Sequence, residues 1–112
     1  MPDLTIVSPR DTITIAREIV AAIVAETAAR SYGVVGLAAG SRVGRLLRRP
    51  GVTVGGDAQG VRIGLHVVVE HGLNLAEVAA TVRSQVGYEV ERLTGLAVAT
   101  VEVVVDDVRV TA

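Results

Sequence analysis

Residues 61–70 read Val61-Arg62-Ile63-Gly64-Leu65-His66-Val67-Val68-Val69-Glu70. Successive strand side chains point to opposite sides, so Val61, Ile63, Leu65, Val67 and Val69 share one face. Arg62, Gly64, His66, Val68 and Glu70 share the other. A strand of this kind buries one face and leaves the other to water. His71-Gly72 closes it. Asn74 then stands three residues before Glu77, an Asn version of the capping box that opens a helix. Leu75, Val78, Val82, Val86, Val90 and Leu93 follow at helical spacing. Glu77, Arg83, Glu89, Glu91 and Arg92 take the remaining surface, and Gly95 supplies a C-terminal cap. The β-branched residues on this helix are weak helix formers in isolation, so packing has to hold it. From Val98 to Val105 the period returns to two. Val101, Val103 and Val105 face inward; Thr100, Glu102, Val104 and Asp106 face outward, and Asp106-Asp107 marks the end. Strand, helix and strand in this order form a right-handed crossover if the strands are parallel.

Upstream, Val52 and Val54 suggest a strand and Gly55 to Gly60 a turn, which makes a hairpin with the 61–70 strand. A helix is predicted from Ala16 to about Ser31, with Ile19, Val20, Ile23, Val24 and Thr27 at helical spacing. Arg17, Glu18, Glu26 and Arg30 mark its other side, and Gly33 is placed to cap it. Thr12-Ile13-Thr14-Ile15 alternates and suits a short strand or extended entry. Residues 1–11, with Pro2 and Pro9, read as a lead-in to a single domain over 12–112. Residues 34–50 carry Gly36, Gly40 and Gly44, then Arg45-Leu46-Leu47-Arg48-Arg49-Pro50. They read as a connection with one short helical turn. It is long for a loop in a compact domain, which marks it as a candidate functional segment. The expected fold is an α+β two-layer sandwich: a small mixed sheet with two amphipathic helices packed on one face.

The chain has 112 residues, half of them hydrophobic and 21% charged, with a formal net charge of -1. A chain of this size hides roughly 60–70% of its unfolded surface, enough for one core and not two. The apolar share excludes intrinsic disorder. The absence of cysteine excludes disulfides, thiol catalysis and thiolate metal sites. Near-neutral charge argues against a nucleic-acid binder that works by bulk attraction. The start has no basic segment leading into an apolar one, so no signal peptide is expected. The uncharged run between Arg30 and Arg42 falls short of the roughly 18 residues of a spanning helix. The expected location is therefore cytoplasmic, with any membrane contact made through a partner or the surface.

Three segments, in order and spacing, resemble the alkaline shock protein family of bacteria, the envelope stress response proteins. The first is Ile13-Thr14-Ile15 leading into Glu18-Ile19-Val20, then Ile23, Ala28 and Gly33-Val34-Val35-Gly36-Leu37. The second is the hairpin from Gly51-Val52-Thr53-Val54 through Val61 to Gly72. The third is Asn74-Leu75, Val78-Ala79, Val82, Gln85-Val86, Val90-Glu91, Thr94-Gly95-Leu96 and Val101-Glu102-Val103. Together they span about residues 12 to 110. Gly33, Val34, Thr94, Gly95 and Leu96 are the structural signature within them. Ala16 departs from the Ser cap common in the family, and the basic tails of some members are missing. The resemblance implies a non-enzymatic cytoplasmic protein tied to the cell envelope and to stress. It implies a protein partner at the envelope, one that can itself be membrane-anchored. It supplies no catalytic residues and no cofactor.

No constellation of residues argues for chemistry. His66 and His71 fall on opposite strand faces, and His66 and Glu70 lie roughly 13 Å apart at strand rise, so no metal site is expected. Asp106 and Asp107 point apart for the same reason. The glycines from Gly33 to Gly44 lack the context of a phosphate-binding loop. No serine sits in a nucleophile-elbow pattern. Arg42, Arg45, Arg48 and Arg49 form the one strong charge cluster. Their readings are a solvated loop, contact with an acidic partner or anionic headgroups, or RNA. Gly33-Val34-Val35-Gly36 has a KH-like spacing, but its valines offer nothing to a phosphate, and Tyr32 and Tyr88 are the only aromatics. Arg62, His66, Val68, Glu102 and Val104 on the outer sheet face form a candidate self-association face, with Val68 and Val104 expected open to water. An interaction or scaffold module is the leading expectation. The alternatives are an RNA-binding module using the Arg-rich loop 42–49 and a regulatory subunit of a soluble enzyme.

Overall fold

The period-two run around Leu65 builds the central strand in the computed structural model, which describes residues 4–7, 12–38 and 51–110. The elements in chain order are β1 (Leu4–Val7), β2 (Thr12–Ile15), α1 (Arg17–Ala29), β3 (Val34–Leu37), β4 (Val52–Asp57), β5 (Gly60–Glu70), α2 (Leu75–Thr94) and β6 (Val98–Arg109). β1 and β2 form a two-stranded antiparallel sheet. β5 carries the main sheet. β4 pairs antiparallel with its first half, from Asp57 opposite Gly60 to Val52 opposite Leu65. β3 pairs antiparallel with its second half, Leu37 opposite Val67 and Val34 opposite Val69. β3 and β4 therefore lie end to end along one side of β5. β6 runs parallel along the other side, from Val61 opposite Val98 to Glu70 opposite Arg109. A parallel pair needs a long crossover, and α2 is that crossover.

Both helices cover the face that carries Val61, Ile63, Leu65, Val67 and Val69. α1 packs on β3 and β4, α2 packs on β6, and the helices pack on each other. Val20, Val24 and Ala28 of α1 and Val78, Val82, Val86 and Val90 of α2 close the core with Val52 and Val54. The fold is the expected α+β two-layer sandwich. The first turn of α2 is capped as its sequence suggests, with Asn74 Oδ1 accepting the Glu77 N–H at 3.1 Å. α1 starts at Ala16 with no side-chain cap. Instead the Arg17 guanidinium donates to the Val54 carbonyl and ties the start of the helix to β4.

The Thr94-Gly95-Leu96 corner has a physical reason. Thr94 Oγ1 donates to the Val90 carbonyl at 2.6 Å and accepts the Leu96 N–H at 3.1 Å. Gly95 sits at φ 75°, where a side chain would be strained, and its N–H bonds the Glu91 carbonyl. Leu96 then turns into the core, 8% exposed.

Several boundaries differ from the sequence expectation. Val34–Leu37 is a strand rather than loop; a bulge between Val34 and Gly36 breaks the alternation that would have marked it. The hairpin turn is only Ala58-Gln59, because Gly55 and Gly56 continue the ladder up to Asp57 opposite Gly60. β1 lies inside the stretch read as lead-in, and its Leu4 reaches the core. α1 ends at Ala29 with Arg30 still right-handed, and Gly33 (φ 87°) turns the chain into β3 rather than capping the helix. β6 runs past Asp106-Asp107 to Arg109, since a register shift absorbs the extra residue. Ile19, Leu75 and Leu93 are 55%, 40% and 54% exposed, although helical spacing places them with the apolar stripes.

Candidate functional site

The outer face of the sheet follows from the even-numbered residues of β5 and β6. Arg62 lies opposite Thr100, Gly64 opposite Glu102, and His66 opposite Val104. Arg62, His66, Glu102 and Val104 therefore come together on one face, as expected. Val68 does not sit open to water there. It is 5% exposed and lies outside the main core, and with Val67 and Val69 it makes a run of three buried valines. Burial of consecutive residues means that this end of β5 is covered on both faces. Val104 is half-buried.

Two polar contacts organise this face. Arg62 Nε donates to Asp57 Oδ2 at 2.6 Å, and the Gln59 N–H donates to Asp57 Oδ1 at 2.8 Å. The Arg62 contact first, then the Gln59 amide, hold the Asp57 carboxyl below its ordinary pKa. His66 Nδ1 lies 2.8 Å from Asp106 Oδ1. Alternation alone does not reveal this second pair. The residues are far apart in sequence, and the parallel register with its bulge beyond Val105 aims Asp106 at the ring. Beside the Asp57–Arg62 pair lies an open groove of 410 Å³ lined by Thr53, Gly55, Gly64, Arg62, Thr100 and Glu102. Its hydroxyls and charges of both signs suit contact with a polar surface.

His66 is also where the Arg-rich segment is attached. The Ala38 N–H donates to the His66 carbonyl at 3.0 Å, and the His66 N–H donates to the Gly51 carbonyl at 2.7 Å. β3 and β4 are thus one strand line interrupted at a single point opposite His66. Gly51 has φ 80°, and a Cβ there would overlap the Ala38 carbonyl oxygen. Only glycine lets the two ends meet this closely. Arg42, Arg45, Arg48 and Arg49, between these ends, lie outside the described residues.

Other expected features take structural positions. Gly33 turns the chain, and its carbonyl accepts the Glu70 N–H at 2.9 Å. Val34 begins β3 against Val69. Asp107 accepts its neighbour Val108 N–H at 2.8 Å and does not converge with Asp106. Among the described residues no three His, Asp or Glu side chains are grouped to hold a metal ion. No helix among them is long and apolar enough to cross a membrane.

A small mixed sheet with two helices on one face and polar contacts on the other defines a compact α+β module. The chain belongs to the alkaline shock protein 23 family, described as having a cell envelope-related function; residues 5–110 match it. It is 33% identical over 107 residues to the protein YloU of Bacillus subtilis (strain 168), covering 88% of this chain and 89% of that one. It is 27% identical over 106 residues to Spy1614 of Streptococcus pyogenes serotype M6, with 88% of each covered. Among solved structures it is similar to MamM CTD. One variant matches at TM-score 0.53 and 17% identity over 80% of this chain and 95% of that one. Another MamM CTD structure matches at TM-score 0.51 and 15% identity over 84% and 98%. At this identity the likeness is one of fold.

Proposed function

We propose that this chain is a non-enzymatic interaction or scaffold module of the envelope stress response, working at the cytoplasmic side of the cell envelope. The observation that carries the reading is the match of residues 5–110 to a family with a cell envelope-related function. The attachment of the Arg-rich segment at one point of the sheet supports it. Ala38 and Gly51, the described residues before and after the segment that carries Arg42, Arg45, Arg48 and Arg49 in the sequence, both bond His66. Clustered guanidinium groups suit an acidic protein partner or the anionic headgroups near it. The envelope contact is made through such a partner, which can itself be membrane-anchored.

Localisation tests the reading. The native protein is followed at endogenous level by fractionation and imaging, with the four arginines intact or changed to Gln. Envelope enrichment, lost in the Gln variant, is the expected result. A diffuse or nucleoid-associated distribution sensitive to RNase overturns it and brings RNA or a soluble enzyme forward as partner.

A further inference from the structure

β6 pairs with β5 and, among the described residues, with no other strand. Its far side is a free edge, and a free edge offers unpaired N–H and C=O groups to another strand. The groups on that edge can be identified. His66 bonds toward Ala38 and Gly51, so the even residues of β5 bond toward β3 and β4. The odd ones bond toward β6, as Val61 does to the Ala97 carbonyl. In the evenly spaced parallel ladder those bonds go to Thr100, Glu102 and Val104. Val101, Val103 and Val105 therefore aim their backbone groups at the free edge. Their side chains belong to the margin of the core and are only half-buried, and no described strand continues the sheet beyond them.

Register shifts lie on either side of this stretch, and from Thr100 to Val105 the pairing with β5 is regular. Along the same edge, Ala76, Ala79, Ala80 and Arg83 of α2 leave a groove of 660 Å³ beside Val101 and Val103. Small side chains there let a neighbouring layer approach.

We propose that a second copy of this chain occupies the edge, its β6 antiparallel to this one about a two-fold axis at Val103. The axis has to fall on a residue for the valine faces of the two copies to match. Centred on Glu102, it sets two glutamates directly opposite each other. Centred on Val104, it sets Glu102 opposite Asp106. Opposed like charges destabilise a pair. Centred on Val103, it sets Glu102 opposite Val104, Thr100 opposite Asp106, and Val101 opposite Val105, with Val103 facing its own copy. No carboxylates oppose, and the valines of both copies extend one core face. A two-fold pairing uses the β6 edge of both copies and leaves none of it for a third, so this contact yields a dimer and not a fibre. This concerns how copies join each other and stands or falls apart from the envelope location.

Sedimentation velocity over a range of protein concentrations is the first test, with a monomer–dimer equilibrium expected. In Val103→Pro the lost N–H is one the monomer does not use, so the fold survives, as Pro does on edge strands. The dimer is expected to weaken at least ten-fold while the circular dichroism spectrum is kept. The second test uses the absence of native cysteine. Glu102 and the opposing Val104 form a non-hydrogen-bonded pair with Cα atoms about 4.5 Å apart, within disulfide range. Like residues lie on the diagonal, about 7–8 Å apart. A mixture of Glu102→Cys with Val104→Cys should therefore cross-link under mild oxidation several times faster than either variant alone. A monomer at every concentration, a dimer insensitive to Val103→Pro, or equal cross-linking by Glu102→Cys alone each overturns the proposal.

Discussion

Asp57 takes up both of its carboxylate oxygens within a tight turn. Oδ1 accepts the Gln59 N–H and Oδ2 accepts Arg62 Nε, which fixes the Ala58-Gln59 turn and aims Arg62 across the outer face. Both contacts favour the ionised form and lower its pKa. Glu89 is lowered likewise by its hydrogen bonds from Arg92. A carboxyl whose pKa is lower in the folded state adds stability above its unfolded value. That contribution fades as pH falls through the folded value. Both groups are at the surface, so the effect is local and screened. An NMR titration should place the Asp57 midpoint below about 3.9, the ordinary value. Arg62→Gln should move it back up; an unmoved midpoint in that variant refutes Arg62 as the main cause.

At the scale of elements, α2 shows how far a periodic stripe commits to the core. Val78, Val82, Val86 and Val90 are buried, whereas Leu75 and Leu93 at the ends are exposed. Leu75 and Leu93 belong to the first and last turns of the helix, beyond the buried run from Val78 to Val90. Val82→Ala removes two methyl groups from a fully buried site and should cost about 2 kcal/mol by transfer and cavity terms. Leu75→Ala should stay within about 0.5 kcal/mol, as exposed sites do. Urea unfolding of the two variants checks the ranking, and an equal loss would mean that the Leu75 end packs more than its exposure indicates. Ser31 ties the helices at their other contact: its hydroxyl lies 3.0 Å from the Thr27 carbonyl and 2.7 Å from the Gln85 side chain.

For the whole molecule, stability should be graded outward from β5. That strand has ladders on both sides and a fully buried row at Leu65, Val67 and Val69. The β1–β2 sheet is separate from the main sheet, and Leu4 is its buried anchor in the core. Locally anchored units open below the global unfolding free energy. Native-state hydrogen exchange should therefore find β5 amides slowest and β1–β2 amides opening independently. Equal protection in both would show one cooperative unit instead.

Much of this architecture was legible from residue patterns. The β5 alternation, the α2 stripe, the Asn74 cap and the Gly95 stop each rest on local geometry, which neighbours in sequence set among themselves. The two-layer α+β arrangement follows because one apolar face and two apolar stripes have a single way to cover each other. The outer-face grouping of Arg62, His66, Glu102 and Val104 was legible for the same reason. Tertiary structure decided the rest. β3 was hidden because a bulge erases period two, and the burial of Val68 because alternation assumes one solvated face. The His66–Asp106 pair, the meeting of Ala38 and Gly51 at His66, and the free edge of β6 depend on strand order and register. Those are set by contacts between residues distant in the chain, and no local period encodes them.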